Sequence, residues 1–505
     1  MVEVSVPDEV EDYRMIIDGE GVDGASGDRI DVEFPYTRDV WATIPRGNGT
    51  DVDRAVDAAR RCFESDEWGS MNASERGNLL FALADAIEEG KDELVRTGVL
   101  GNAKLVREME GRIESIAEWY RYFGGLADKV EGRTIPSDLD GRFVYTRREP
   151  YGVVAGITPW NSPLSLGTYK IAPAIAAGNT VVLKPSEVNP VSTIVLAELA
   201  LEAGFPPGAL NVVTGYGEAG AALTDHDDVD KVAFTGGIEA GSSVGETAGS
   251  NVVPVTLELG GKSPNIVFPD VEMETALTGT VRSIFSSTGQ SCNAGSRLFV
   301  HSDIHDEFVE RLVERAEDIT LGSPMDPTTE MGPVAEEGQF AKVRKYVEIA
   351  REEGATLVTG GEPRDDLPGG LFYPPTIFTD VTNDMRIAQE EVFGPVLAVQ
   401  EFETEDEVVR KANDSEYGLA AGVWTDDLAR GHRMSDRIEA GIVWVNTYRQ
   451  LSYSVPFGGK KRSGIGRENG QEAIDEYLET KSVVVNTSGE VPSPFKPYEG
   501  SGDDE

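Results

Sequence analysis

From residue 151 onward, short β-branched runs alternate with longer helical ones: GVVAGITP, LGTYKIAPAIAAG, TVVLKPS, VSTIVLAELALEAG, ALNVVTG, AGAALTDH, KVAFTGG, EAGSSVGETAG and VPVTLELGG. The alternation predicts consecutive βαβ units, hence an α/β fold built on a mostly parallel sheet with helices on both faces. Ligands of such sheets gather at the carboxyl ends of the strands. After residue 261 a second series begins with SPNIVF, SRLFVH and the helix DIHDEFVERLVERAEDI, which predicts a second α/β domain. Residues 50–128 read as helices (TDVDRAVDAARRCF, SERGNLLFALADAIEEG, KDELVRTGVL) that cover one face of the first sheet. The second of them opens on a Ser-x-x-Gly start rather than a capping box. RFVYTRREP, within 131–150, reads as a strand leaving the sheet as an arm. The expected division is 1–130 with 151–260, then 261–465, then an arm from 131–150 and 466–495. The Pro-, Gly- and charge-rich end, 496–505, is predicted to be disordered.

A chain of 505 residues exceeds what one hydrophobic core usually serves, which agrees with several domains. Acidic residues outnumber basic ones 89 to 45, for a net charge of −44. That field repels nucleic acid and anionic membranes, so neither is expected as a partner. The acids are spread along the chain (DEVED, DHDDVD, SGDDE), which points to a saline cytoplasm rather than an acidic docking patch. At molar salt the Debye length falls to about 3 Å and the self-repulsion is largely screened. The start, MVEVSVPDEVEDYR, lacks the features of a secretory signal, and no run is long enough to span a membrane, so the location expected is cytoplasmic. Two cysteines make no disulfide framework, and Cys62, beside Ala58 and Phe63 in a helix, reads as a small core hydrophobe.

Cys292 differs from Cys62 because STGQSCNAGSR surrounds it with small, polar and glycine residues, a setting in which a reactant can reach the thiol. Around it stand several strand-end motifs. Asn161 ends ITPWN, where an amide donor would face a developing oxyanion. Glu258, in ELGGKSPN, follows an apolar strand and precedes two glycines, so its carboxyl is expected to be desolvated and suited to general-base work. In KPSE, Glu187 is placed to bind ribose hydroxyls and Lys184 to sit near the adenosine end of a dinucleotide. A carboxylate there repels a 2′-phosphate, favouring NAD and leaving NADP open. Gly236 and Gly237, in FTGGIEAG, precede a helix whose free N–H groups attract phosphate; a tight structural turn is the alternative. GYGEAG, with Gly215, Gly217 and Gly220, is a weak phosphate signal because no acidic residue closes the next strand. His226, His301, His305 and His432 lie in no metal-binding motif, and no metal is expected.

Taken in order and spacing, ITPWN, KPSE, FTGG, ELGGKSPN, GQSCNAGSR, EEVFGPV and PFGGKKRSGIGREN resemble the aldehyde dehydrogenase superfamily from about residue 16 to about residue 485. The resemblance implies that 1–130 with 151–260 form a Rossmann-like NAD-binding domain, that 261–465 form the catalytic domain, and that the arm joins subunits into a homodimer or homotetramer. It makes Cys292 the nucleophile and Glu258 the general base, with Asn161 and the Cys292 backbone N–H as the oxyanion hole. Lys170 and Glu391 match positions that assist proton movement or hold the nicotinamide ribose, and Phe393 packs near that ribose. Trp160 lines the cofactor pocket, and Gly217 lies by the adenine. The remaining cofactor positions implied are Ile157, Thr158, Pro159, Ser186, Phe234, Thr235, Gly241, Leu259 and Gly260, with Lys184, Glu187 and Gly236. The family usually has serine where this chain has Gly237, which leaves one pyrophosphate contact in question.

The activity implied is oxidation of an aldehyde to the acid, with thiol ionisation helped by an adjacent helix start and the bound cofactor's charge. Two alternatives are an acylating enzyme that passes the thioester to coenzyme A and a cysteine hydrolase that needs no nicotinamide; a non-catalytic relative is a third. The resemblance builds the substrate entrance from Tyr169, Phe285, Ser291, Asn293, Tyr448, Arg449, Tyr453 and Phe457. Arg449 is placed either to pair with a substrate carboxylate or to lie exposed at an interface.

Overall fold

The computed structural model describes residues 2–489 and 491; the segment 496–505 expected to be disordered lies outside them. Eight strands form the first sheet, in the order Gly464–Ile465, Val255–Glu258, Lys231–Thr235, Val153–Thr158, Thr180–Pro185, Leu210–Val212, Met15–Ile17 and Glu20–Val22. The five central strands are parallel. Val153–Thr158 and Thr180–Pro185 are buried at every position because both faces are covered. Their period of two still sorts the side chains. Val154, Val181 and Leu183 pack with Leu80, Tyr120, Ile171 and Ile194 of the helices on one face. Val153, Ala155 and Val182 pack with Val52, Val56 and Leu223 on the other.

The chain order of these strands reverses beside Val153–Thr158: the next strand, Thr180–Pro185, lies on one side and the fourth, Lys231–Thr235, on the other. A crevice opens at such a switch point, outside the carboxyl ends of the two strands. ITPWN and FTGG both run into it.

The helix Ala73–Glu89 begins one residue before the Ser74 start read from sequence, and it does carry a capping box. Asn72 Oδ1 accepts the Glu75 N–H (3.1 Å) and Glu75 Oε2 accepts the Asn72 N–H (2.7 Å). An asparagine supplies the cap, so a search centred on the serine misses it.

Seven strands form the second sheet, in the order Thr356–Thr359, Thr376–Thr379, Val396–Phe402, Arg297–His301, Pro264–Val267, Ala420–Trp424 and Ile442–Val445, all parallel except the first. The segment 261–465 does not stay within it. Gly464–Ile465 crosses back and pairs antiparallel with Val255–Glu258, Gly464 opposite Glu258. A side chain at Gly464 (φ +153°) would lie 2.2 Å from the Leu257 carbonyl oxygen, so only glycine permits the pairing. Ser463 ties the sheets together, donating to the Gly260 carbonyl (2.8 Å) and accepting the Gly418 N–H (3.0 Å).

The arm is a three-stranded antiparallel sheet of Thr134–Ile135, Arg142–Pro150 and Leu478–Asn486, whose outer faces leave Phe143, Val484 and Val485 exposed. Residues 466–477, grouped with the arm from sequence, lie instead against the first core, where Ala473, Ile474 and Tyr477 are buried. Among the described residues no helix is long and apolar enough to cross a membrane.

Arg297 fixes the strand that follows the cysteine loop. Its buried guanidinium donates to the carbonyls of Lys262 (2.8 Å), Lys411 (3.2 Å) and Ala412 (2.8 Å), joining that strand to the loop after Glu258. Arg297→Met leaves those carbonyls unpaired and is expected to cost about 3 kcal/mol. Denaturant unfolding at fixed high salt measures it, and an unchanged midpoint would show that the three contacts contribute nothing net.

Candidate active site

Each candidate side chain reaches the crevice from the end of an element. Asn161 follows Val153–Thr158, Thr235 ends Lys231–Thr235 with Gly236 just beyond it, and Glu258 ends Val255–Glu258. Cys292 lies between the helix Met273–Phe285 and the strand Arg297–His301. No helix starts at Cys292, contrary to the sequence expectation. Ser287, Thr288 and Gly289 adopt left-handed backbone (φ 54°, 57° and 68°) and turn the chain toward the crevice. A side chain at Gly289 would meet the Gly394 carbonyl oxygen at 2.1 Å.

Asn161, Glu258 and Cys292 line one cavity of about 170 Å³. Pro159, Trp160, Thr235, Gly236, Gly237, Leu259, Gly260, Glu391 and Phe393 share its walls. A second, wider cavity of about 270 Å³ reaches Cys292 and Asn161 from the other side, past Tyr169, Asn293 and Phe457. The sulfur therefore stands where two openings meet.

Asn161 Nδ2 donates to the Gln290 carbonyl at 3.1 Å. Its second amide hydrogen remains for a ligand, and the first holds the amide plane fixed. Gln290 is anchored in turn, its side-chain oxygen accepting the Ala335 N–H at 2.9 Å.

Burial pushes the Cys292 thiol up to about 12, and the Glu391 and Glu258 carboxylates push the same way against Arg449. Burial also raises Glu258 well above the usual carboxylate range, reinforced by Glu468 and opposed by Lys170 and Arg467. Neither oxygen of Glu258 has a hydrogen-bond partner. Lys170, fully buried, donates to Glu468 Oε1 (2.5 Å) and to Thr235 Oγ1 (2.6 Å). Glu468 was missed as a site residue although GREN was part of the motif that carried the resemblance; no residue-type signal distinguishes it from a surface glutamate.

The cofactor positions divide into two groups. Beside the sulfur, Trp160 and Phe393 meet edge to face at 5.5 Å, with Phe393 itself left-handed (φ 61°). Glu391 accepts the Gly261 N–H at 3.0 Å, and burial raises its carboxyl. Gln339 and Lys342, from the helix Glu337–Glu352, also line this cavity and carried no sequence signal. Farther along the strand ends, Lys184 donates to the Pro185 carbonyl (3.1 Å) and lies 3.8 Å from Glu187, beside Ser186. Gly217 opens the helix Gly217–Thr224 with open space where a Cβ would stand.

Ile157, Thr158, Phe234 and Gly241 do not line the cavity; they back it. Ile157 and Phe234 are core residues, and Gly241 packs so closely on Leu259 that a side chain there would lie 2.3 Å from it. Thr158 Oγ1 is buried without a partner. The helix Ile238–Ser250 starts at Gly237 with no side-chain cap and open space where a Cβ would stand. An uncapped helix start, a half-exposed carboxylate at a strand end and a cavity leading to a thiol fit a nicotinamide dinucleotide.

The family model described as "Aldehyde dehydrogenase family" matches residues 22–483. The chain is 47% identical over 482 residues to an aldehyde dehydrogenase of Enchytraeus buchholzi, covering 95% of this chain and 96% of that one. It is 44% identical over 476 residues to a betaine aldehyde dehydrogenase of Bacillus subtilis, covering 94% and 97%. Among solved structures, a Staphylococcus aureus betaine aldehyde dehydrogenase in complex with NAD+ superposes with a TM-score of 0.94 at 43% identity, covering 96% of this chain and 97% of that one. With this fold, this strand-end crevice and these matches over nearly its whole length, the chain belongs to the aldehyde dehydrogenase family.

Proposed function

We propose that Cys292, Asn161 and Glu258 carry out the oxidation of an aldehyde to its carboxylic acid. The observation that supports this reading most is the position of Cys292 and Asn161 on both cavities, with Glu258 on the narrower one. Once its proton has passed to solvent, the Cys292 thiolate attacks the carbonyl carbon, and the oxygen, now an oxyanion, is held by the Asn161 amide and the Cys292 backbone N–H. As the oxyanion collapses to a carbonyl, hydride leaves carbon and a thioester forms. A nicotinamide dinucleotide held in the groove beside Trp160, Glu391 and Phe393 would supply the acceptor for that hydride. Glu258 then takes a proton from water, the hydroxide adds to the thioester carbon, and the thiolate leaves with the acid released. A carboxylate in place to activate water favours hydrolysis over transfer to coenzyme A, and the dinucleotide groove has no use in a simple esterase.

Glu187 supports NAD as the cofactor, because its carboxylate stands where a 2′-phosphate would be repelled. The acid surplus suits a concentrated-salt cytoplasm, and the exposed apolar strands of the arm suit pairing with another subunit in a dimer or tetramer. Residues 1–130 and 151–260 take the cofactor role and 261–465 the catalytic one, except where the returning strand joins the first sheet.

Cys292→Ala is expected to abolish NAD reduction by roughly 10³-fold or more. Glu258→Gln should keep a stoichiometric burst of NADH but slow later turnovers about 10²-fold. Rapid-mixing absorbance separates the two, and an intact steady state in Glu258→Gln would remove the base from the scheme.

The raised carboxyl of Glu258 has a defined sign for pH. Its basic form appears only as pH rises through the raised value, so turnover should climb with pH on that limb. Lys170→Met removes an opposing cation and should move the limb alkaline by about one unit; Glu468→Gln removes a like charge and should move it toward acid. Shifts of the same direction in the pH–kcat profiles would contradict this electrostatic arrangement.

Space at Gly237 admits a serine without displacement. Gly237→Ser is expected to tighten NAD roughly tenfold if a hydroxyl contact to the pyrophosphate is lacking in this chain. Fluorescence titration of NAD measures it, and unchanged affinity would show that backbone N–H groups suffice.

A further inference from the structure

The wider opening to Cys292 has a charge opposite to that of the chain. With acids outnumbering bases 89 to 45, a basic side chain on this protein readily finds a carboxylate. Arg121 alone touches Asp85, Glu88 and Glu118. Yet Lys104, Arg112, Arg282 and Arg449 all line the wider cavity, and no carboxylate does. Among the described residues none of the four forms an ion pair.

They converge from four separate places. Lys104 follows the helix Lys91–Asn102, Arg112 is on Val106–Leu126, Arg282 on Met273–Phe285, and Arg449 is in the loop after Ile442–Val445. A stripe along one solvated helix would not have this origin. Their observed partners are neutral. Lys104 Nζ donates to Ser162 Oγ (2.6 Å), Arg449 Nη1 to the Ser286 carbonyl (2.9 Å), and Arg282 faces the Gln450 amide. Arg449 holds its position with a left-handed backbone (φ 56°). The carboxylate of Glu108 lies in a neighbouring cleft shared with Lys104, where it accepts the Ser287 N–H at 3.2 Å. Burial, and then Arg112, pushes Lys104 down to about 7, with Glu108 opposing and Arg449 assisting.

We propose that the substrate is an aldehyde carrying a carboxylate at the end remote from its carbonyl, seated by Arg112 and Arg449 with Lys104 and Arg282 around the entrance. The proposal rests on the dehydrogenase reading above and narrows it to a substrate class. A guanidinium pair matches a carboxylate in geometry as well as charge. The stacked rings of Trp119 and Tyr169 on the same wall would by themselves suit a quaternary ammonium, but the guanidinium groups of Arg112, Arg282 and Arg449 repel one.

The test compares kcat/KM, by NAD reduction at one fixed salt concentration, for three aldehydes of matched length ending in carboxylate, methyl and trimethylammonium. The carboxylate is expected to exceed both others roughly tenfold to a hundredfold. Arg112→Gln should lower the carboxylate-to-methyl ratio about tenfold through KM, and Arg112→Lys should restore part of it. Preference for the methyl or trimethylammonium aldehyde, or a ratio unmoved in both Arg112→Gln and Arg449→Gln, would overturn the proposal while leaving the dehydrogenase reading intact. If no aldehyde reduces NAD, that reading is lost, and calorimetry decides the anion site alone. A short dicarboxylate should bind the wild type and not Arg112→Gln, and absence of binding to the wild type would overturn it.

Discussion

The buried pair of Lys170 and Glu468 is the contact on which the rest of the site depends. Two charges so far from water persist only when they meet each other with good geometry, and removing one strands the other. Lys170 belongs to the helix Pro163–Ala177 of the first unit, while Glu468 arrives on the chain that returns from the second. Their meeting brings that returning segment under Glu258, beside the two-residue strand opposite it. Without the pair, Glu258 would lose both the like charge that raises its carboxyl and the cation that limits the rise.

Burial raises both the Glu258 carboxyl and the Cys292 thiol above their ordinary values. The sulfur is nonetheless half-buried rather than sealed, since both cavities reach it. Arg449 opposes that rise at the thiol, and it lines the wider cavity.

The sequence made the parallel strands legible because nearly every residue in them is apolar and β-branched, bounded by glycine or proline. It made Asn161, Glu258 and Cys292 legible for a related reason: each is a polar residue at or just beyond such a run, next to small neighbours. Glu468, Gln339 and Lys342 were not legible, since their function comes from which distant element they face. Gly464–Ile465 is too short to show any period. The turn before Cys292 escaped notice because Ser287 and Thr288 take a left-handed backbone that their residue types do not announce. The cap of Ala73–Glu89 was placed on the wrong residue because asparagine, not the nearby serine, supplies it.

Access to the sulfur from two directions separates two kinds of traffic. Under the proposed reaction, a thiol-alkylating reagent entering by the wider mouth would contend with the aldehyde for the same passage, while the nucleotide would take the opposite one. On that reading, covalent blockade of Cys292 and retention of a bound dinucleotide would be compatible in a single molecule, and an inhibitor built for the wide side would need to imitate no part of the cofactor.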